Sequence, residues 1–396
     1  MANSGLTNAK RAKNDEFYTQ YGDIQKEIEA YLEYDPDVFR GKVVYCNCDD
    51  PFESNFFRYF VLNFNKLGLK QLITTSYKPS PVANTQLGLF GDDITLTKSK
   101  GRPKINANKF IINEVHDIDG DGEFNLKDVA KQLKANKHNE WMPLEGDGDF
   151  RSNECTNLLK QSDIVVTNPP FSLFREYINQ LFDYNKKFVI IGNMNAITYK
   201  EIFSKIKKNK MWLGATNFNT GMYFNVPESF TYAETYKFER ERNGEKVNRV
   251  PGVCWFTRLD HGRRHQPLPL MTMEENLKYS KHKEIKGKAY DKYDNYDAIE
   301  VSFTDAIPCD HGGVMGVPIT FLDKYNPDQF EIVGMCENKD LYKLKTKVYT
   351  TAECKQAYLD KFEKKGTYDL NASGVVIKDG LLEKVYQRIL IKYKKK

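Results

Sequence analysis

Short runs of β-branched and aromatic residues recur through the first half of the chain: Val43-Val44-Tyr45-Cys46, Gln71 to Thr75, Ile164-Val165-Val166 and Phe188 to Ile191. Helix-like stretches lie between them, among them Asn55 to Asn63 and Asn153 to Lys160. Runs that are apolar on both faces belong to a buried parallel sheet, and their alternation with helices predicts a doubly wound α/β architecture. Met211-Trp212-Leu213-Gly214 and Val253 to Thr257 read as later strands of the same sheet, separated by a polar excursion. Ligands of such sheets collect at the carboxyl ends of strands, so the informative loops should follow Tyr45, Thr75 and Val166.

A chain of 396 residues that is 40% hydrophobic can bury a large core and fill two domains. We expect a catalytic domain over residues 1–265, with an insertion at about 80–145. A second domain over 266–396 follows, where the strand-helix rhythm fades and Tyr and Lys become frequent. No apolar run approaches the roughly 18 to 20 residues that span a bilayer, and the first residues lack a signal-peptide pattern. The expectation is a cytoplasmic protein without a membrane partner. Seven cysteines, of which only Cys46 and Cys48 lie close together, fit reduced thiols rather than a disulfide framework or a zinc site. The net charge of +5 comes from 59 basic against 54 acidic residues, so a nucleic-acid footprint must come from clustering. Clusters lie at Lys98 to Lys104, Arg258 to Arg264, Lys278 to Lys292 and Lys392 to Lys396; each would equally serve as solvated surface.

The run Asp163 to Thr167 leads into Asn168-Pro169-Pro170-Phe171, and each of these four residues has a chemical use. An aromatic amine is a poor nucleophile because its lone pair is delocalised into the ring. If the Asn168 side-chain oxygen and a loop carbonyl, that of Pro169, both accept hydrogen bonds from the amine, the lone pair is localised and aimed at a methyl donor. The prolines fix φ and carry no N–H, which stiffens the loop and presents carbonyls without competing donors. Phe171 can stack on a base taken out of its helix. The same chemistry would serve adenine, cytosine N4, guanine N2 in RNA or a glutamine amide, and a Pro-Pro turn that merely ends a strand is the bland alternative.

Two other loops bear on the methyl donor, S-adenosylmethionine. Asp149-Phe150, in Gly146-Asp147-Gly148-Asp149-Phe150, could hold its adenine, the carboxylate accepting from the amino group and the ring packing on the base. Tyr45-Cys46-Asn47-Cys48-Asp49-Asp50-Pro51 should contact the methionine part, with Asp49 or Asp50 available for the ammonium group. No glycine-rich signature occurs there, and Thr74-Thr75-Ser76-Tyr77 offers no acidic residue for the ribose.

At these residues the chain resembles the EcoRI-type adenine-specific DNA methyltransferases, enzymes of N6-adenine with an Asn-Pro-Pro-Phe catalytic motif. The resemblance covers Asp15 to Tyr21, Val43 to Pro51 with Ser54 to Phe57, Gly146 to Ser152 and Asp163 to Phe174. It continues through Ile197 to Glu201, Lys292 to Ile299, Gly313 to Leu322 and Asn326-Pro327. Several strings in one order are far more specific than a four-residue motif. The resemblance implies a Rossmann-like S-adenosylmethionine-dependent methyltransferase sheet with a C-terminal target-recognition region. It also implies that Phe17, Tyr18 and Thr19 fold over the cofactor, that Tyr45, Asn47, Asp49 and Asp50 form its loop, and that Asn168 to Phe171 are catalytic. Double-stranded DNA is the implied partner of a monomer. The setting would be restriction–modification, with an endonuclease of the same site, or a solitary or phage-borne modification role. Residues about 337–380 exceed the family's pattern.

For DNA contact we single out Arg263, Arg264, Lys292, Tyr293 and Tyr296, and Arg102 in a Gly-Arg-Pro strip of the kind that lies in minor grooves. Asp117-Ile118-Asp119-Gly120-Asp121-Gly122-Glu123 through Asp128 has the spacing of a calcium loop, with Asp where an EF-hand has Glu at the twelfth position; the alternative is a solvated acidic turn. Such a calcium ion would be structural. The rival readings are a cytosine-N4 or RNA amino-methyltransferase and a catalytically silent DNA-binding protein.

Overall fold

The computed structural model describes residues 18–48, 54–77, 107–118, 120, 124–125, 128–129, 131–132, 138–216, 218–226 and 230–394. The chain divides into two compact units, Met1–Ile206 with Lys210–Gly262, and Lys207–Asn209 with Arg263–Lys396.

The first unit is built on a mixed sheet. Its parallel heart is β2 (Val43–Cys46), β3 (Gln71–Thr75), β6 (Ile164–Thr167) and β7 (Lys187–Asn193), with β2 and β6 buried at every position. β4 (Asn108–Ile112) and β5 (Glu140–Pro143) extend one side, and β8 (Trp212–Leu213) and β12 (Val253–Thr257) extend the other. The order is β5-β4-β3-β2-β6-β7-β12-β8. Connections run outward in both directions from the β2–β6 pair, which is therefore the topological switch point where ligands bind. This is the doubly wound, Rossmann-like α/β sheet expected of the strand rhythm. The insertion supplies β4 and β5, an antiparallel pair that the polar sequence around them did not announce.

Helices cover the sheet for local reasons. Ser54 caps α2 (Asn55–Leu62) by accepting from Phe57 N, and Ser152 caps α3 (Asn153–Gln161) by accepting from Cys155 N. In α4 (Phe174–Asp183) the buried residues are Phe174, Tyr177, Ile178 and Leu181, one stripe at helical spacing. The first helix, α1 (Tyr21–Tyr34), follows β1 (Tyr18–Thr19). That strand joins a smaller antiparallel sheet, β1-β9-β11-β10, with β9 (Met222–Asn225), β10 (Glu241–Arg242) and β11 (Glu245–Val250). The polar excursion of the sequence is this sheet.

α1 carries a carboxyl group into the core. Glu27 is fully buried, and its Oε1 accepts from Tyr31 OH at 2.6 Å and Ala215 N at 2.9 Å. Its Oε2 accepts from Thr216 N at 2.8 Å and Thr216 Oγ1 at 2.5 Å. Burial raises its pKa despite these donors. Gly214 lies against it, since a Cβ there would stand 2.2 Å from Glu27 Oε1. The carboxylate thereby clamps the turn after β8 to α1.

The second unit has its own sheet, β13-β14-β18-β15, from β13 (Ala298–Glu300), β14 (Val314–Pro318), β15 (Phe330–Met335) and β18 (Arg388–Tyr393). A separate two-stranded ribbon is formed by β16 (Val375–Lys378) and β17 (Leu381–Lys384). Inside the unit Arg388 Nη2 donates to Glu300 Oε1 at 2.7 Å, and Tyr293 OH donates to Glu300 Oε2.

Glu27→Gln should turn one acceptor into a donor facing donors. We expect a loss of about 2 kcal/mol, the scale of a hydrogen bond to a buried charged group. Urea unfolding measures it, and an unchanged midpoint would show that the clamp is dispensable.

Candidate active site

The two strands of the switch point end in loops that are bonded to each other. Beyond β2, Asn47 is buried; its carbonyl accepts from Thr167 Oγ1 at the end of β6, and its side-chain oxygen accepts from Tyr177 OH on α4. Asn168 follows Thr167 directly, so one buried asparagine sets the distance between the loop after β2 and the Asn-Pro-Pro-Phe loop. Burial pushes the phenols of Tyr177 and Tyr45 well above their ordinary values, which keeps both protonated as donors. Tyr45 OH and Thr75 Oγ1 lie 2.9 Å apart, which ties β2 to the end of β3.

The loop at 146–150 closes onto this edge from above α3. Gly148 has φ +80, and a Cβ there would stand 1.9 Å from the carbonyl oxygen of Ser76, just past β3. Only glycine permits that approach. Asp149 Oδ1 accepts from Arg151 N at 2.8 Å and Nε at 2.9 Å, and its Oδ2 accepts from Nη2 at 2.6 Å. The hydrogen-bonded guanidinium holds the Asp149 carboxyl below the usual carboxylate range, so it is an anion at neutral pH. Phe150 is buried beside Tyr177. Its ring is 3% exposed, set edge-on to Tyr177 at 5.0 Å, and its carbonyl accepts from Gln180 Nε2 at 3.0 Å. The ring supports the loop through its packing on Tyr177.

In the Asn-Pro-Pro-Phe loop Asn168 and Pro170 are half-buried and Pro169 is buried. The Pro170 carbonyl is taken by Leu173 N at 3.0 Å, where a helical turn begins. Phe171 opens the turn, half-buried against the main core. Tyr18 and Thr19 pair with Asn225 and Phe224, and the Thr19 carbonyl accepts from Asn55 Nδ2 at 2.9 Å. The N-terminal strand is thus tied to the helix that follows the β2 loop.

Sequence reasoning missed Arg151, Tyr177 and Glu27. Arg151 stands next to Asp149 in the chain and could have been found by its pairing. Tyr177 looked like one more core residue of α4. Phe17, Asp49, Asp50, Arg102, Asp119, Asp121 and Glu123 lie outside the described residues.

Tyr293 and Tyr296 do not have the place expected of DNA contacts. Both are buried in the core of the second unit, 6% and 3% exposed, where Tyr293 bonds Glu300. Arg264 is also buried and donates to Asn209 Oδ1 at 2.5 Å, and Arg263 pairs with Asp323. Of the described residues of this group, Lys292 alone is exposed. In the acidic loop Asp117 Oδ1 accepts from Gly120 N at 2.7 Å, and buried Asp128 accepts from Ile118 N at 3.0 Å and Asn125 N at 2.9 Å. These bonds close a turn through backbone amides. Among the described residues no group of three His, Cys, Asp or Glu side chains is placed to hold a metal ion.

Comparison with known proteins bears on the chemistry of this edge. The family model of the adenine-specific methyltransferase EcoRI matches residues 5–394. The chain is 46% identical over 340 residues to the Type II methyltransferase M.EcoRI of Escherichia coli, covering 85% of this chain and 91% of that protein. It is 37% identical to the Type II methyltransferase M.MpnI of Mycoplasma pneumoniae, over 86% of this chain and 89% of that one. With M.MgeORF184P of Mycoplasma genitalium it shares 36% identity over 83% and 86% of the two chains. No solved structure matches the chain. Methyltransferases of this family use S-adenosylmethionine. An Asn-Pro-Pro-Phe loop at the switch point of a doubly wound sheet, in a chain matched over nearly its whole length, has one consistent reading: the protein belongs to the EcoRI family of adenine-specific methyltransferases.

Proposed function

We propose that the protein methylates the N6 amino group of an adenine flipped out of double-stranded DNA, at a defined sequence, with S-adenosylmethionine as donor. The observation that carries this reading is the joint at Asn47, which sets the loop after β2 beside the catalytic loop after β6. The bound cofactor supplies an electrophilic methyl group. Asn168 Oδ1 and the Pro169 carbonyl accept from the adenine amine and localise its lone pair, and Phe171 holds the base by its face.

Two observations support a cofactor at this edge. The 146–150 loop makes a cradle that a Cβ at Gly148 would fill, beside an ionised Asp149 able to accept from an adenine amino group. Thr19 Oγ1 is buried and has no hydrogen-bond partner among the described residues, the mark of an atom that awaits a ligand. Tyr18, Thr19, Tyr45, Asn47 and Asp149 would line the site, with Phe150 beneath it.

The second unit is the region we assign to target recognition. It holds 26 basic and 20 acidic residues, against 33 and 34 in the first unit, so the positive charge of the chain resides there. No described helix is long and apolar enough to cross a membrane. The relatives are Type II methyltransferases, and we read this chain as a monomeric cytoplasmic enzyme that protects sites against a companion endonuclease.

Asn168→Ala should leave DNA and cofactor binding intact and lower the single-turnover rate at least about a hundredfold, the scale of one transition-state hydrogen bond. Wild-type turnover in this variant would remove the assigned mechanism. Tyr177→Phe should leave the Asn47 side-chain oxygen buried without its donor, at a cost of about 1 to 3 kcal/mol. We expect calorimetry to show weaker cofactor binding by about fivefold or more, roughly 1 kcal/mol; equal affinity would mean that the joint does not shape the cofactor side.

A further inference from the structure

The ribbon β16–β17 is fixed at its root and bare at its tip. Val375 and Val376 are fully buried, Val375 N donates to the side-chain oxygen of buried Asn295 at 2.9 Å, and the Val375 carbonyl accepts from Asp294 N at 2.8 Å. The Tyr293 ring lies against Gly374 and Gly316, where a Cβ would stand 2.4 and 2.1 Å from it. Asp379 and Gly380, with φ of 51° and 78°, make the two-residue turn. Both central residues at positive φ define a turn whose twist matches the strands, so the ribbon is rigid.

All residues from Ile377 to Leu381 are exposed, Ile377 by 55% and Leu381 by 39%. An apolar ribbon tip in solvent invites aggregation and gains nothing for the fold. The register sets Ile377 opposite Leu382, and Lys378 opposite Leu381. Ile377 and Leu381 therefore project from opposite faces of the ribbon. A ribbon that docks flat on another protein needs one apolar face; one that presents apolar side chains on both faces fits a slot with two walls. Lys378 stands 3.8 Å from Asp291 and 3.9 Å from Glu383, exposed pairs that hold it weakly. Residues 375–396 hold seven basic and two acidic side chains, and Tyr386, just beyond the root, is 88% exposed.

We propose that the tip Ile377–Leu381 enters the major groove of the target duplex and reads bases of the recognition sequence, an inference that rests on the DNA-methylating function above. The major groove is about 12 Å wide and 8.5 Å deep and admits a two-stranded ribbon. From Ile377 to the turn is about 7 to 10 Å of strand, which matches that depth. Ile377 and Leu381 meet thymine methyl groups, Lys378 donates to guanine O6 and N7, and Asp379 accepts from cytosine N4. Tyr386 and Lys384, at the root, contact phosphates and carry no sequence information.

The test compares the full-length enzyme with the double variant Ile377→Ser/Leu381→Ser, with Lys378→Ala and with Tyr386→Ala. Methylated sites in DNA from expressing cells are mapped, and kcat/KM is measured on the mapped site and on duplexes changed at one base pair. We expect unchanged melting curves, a preference for the mapped site reduced about tenfold or more in each tip variant, and degeneracy at one or two positions of its site. Tyr386→Ala should weaken every duplex alike. Lys378→Ala alone decides the matter if the double variant is unstable. A tip variant with wild-type site preference, or one that weakens all duplexes equally, overturns the reading role while the methylating function stands. A wild-type enzyme that modifies no adenine overturns that function and this inference with it.

Discussion

The site depends on the two hydrogen bonds that meet at Asn47. A doubly wound sheet leaves a crevice where its strand order reverses, and the loops on either side have no covalent reason to keep a fixed spacing. Thr167 and Tyr177 fix it by holding the carbonyl and the side chain of one buried residue. Methyl transfer asks for a nucleophile and an electrophile in line at near-contact distance, and displacement of either by an ångström costs orders of magnitude in rate. A polar joint in a buried place meets that demand because neither bond can exchange with water.

The rest of the unit keeps that joint in position. Phe150 packs edge-on to Tyr177 and so couples the 146–150 loop to the same residue that holds Asn47. Gly148 lets that loop approach Ser76, and Arg151 keeps Asp149 ionised at its rim. Farther out, Glu27 clamps the turn after β8 to α1, whose preceding strand reaches α2 through Asn55. Each contact is ordinary in size. Together they make a stiff rim from segments far apart in the chain.

How much of this was legible in the sequence follows from the kind of signal each part leaves. The parallel strands announce themselves because burial on both faces demands continuous apolar runs, as in Ile164-Val165-Val166. The Asn-Pro-Pro-Phe loop is legible because that string has few structural uses. β4 and β5 were missed because both are only partly buried and carry polar residues, and the sequence of the edge strand β5, Glu140-Trp141-Met142-Pro143, looks like a loop. Tyr293 and Tyr296 were read as DNA contacts because tyrosine beside lysine suits a nucleic acid; both are buried, and Gly316 and Gly374 make room for Tyr293 from distant positions. Tyr177 and Glu27 act through partners 130 and about 190 residues away, and no local pattern records such pairs.

The central claim, that this edge methylates the exocyclic nitrogen of adenine in duplex DNA, is tested most directly by chemical identification of the product. Duplex DNA is incubated with the enzyme and S-adenosylmethionine carrying a labelled methyl group, digested to nucleosides and separated. The account predicts that the label appears in N6-methyl-2′-deoxyadenosine alone. Label in N4-methylcytosine, or label that enters RNA and leaves duplex DNA unmodified, would contradict it.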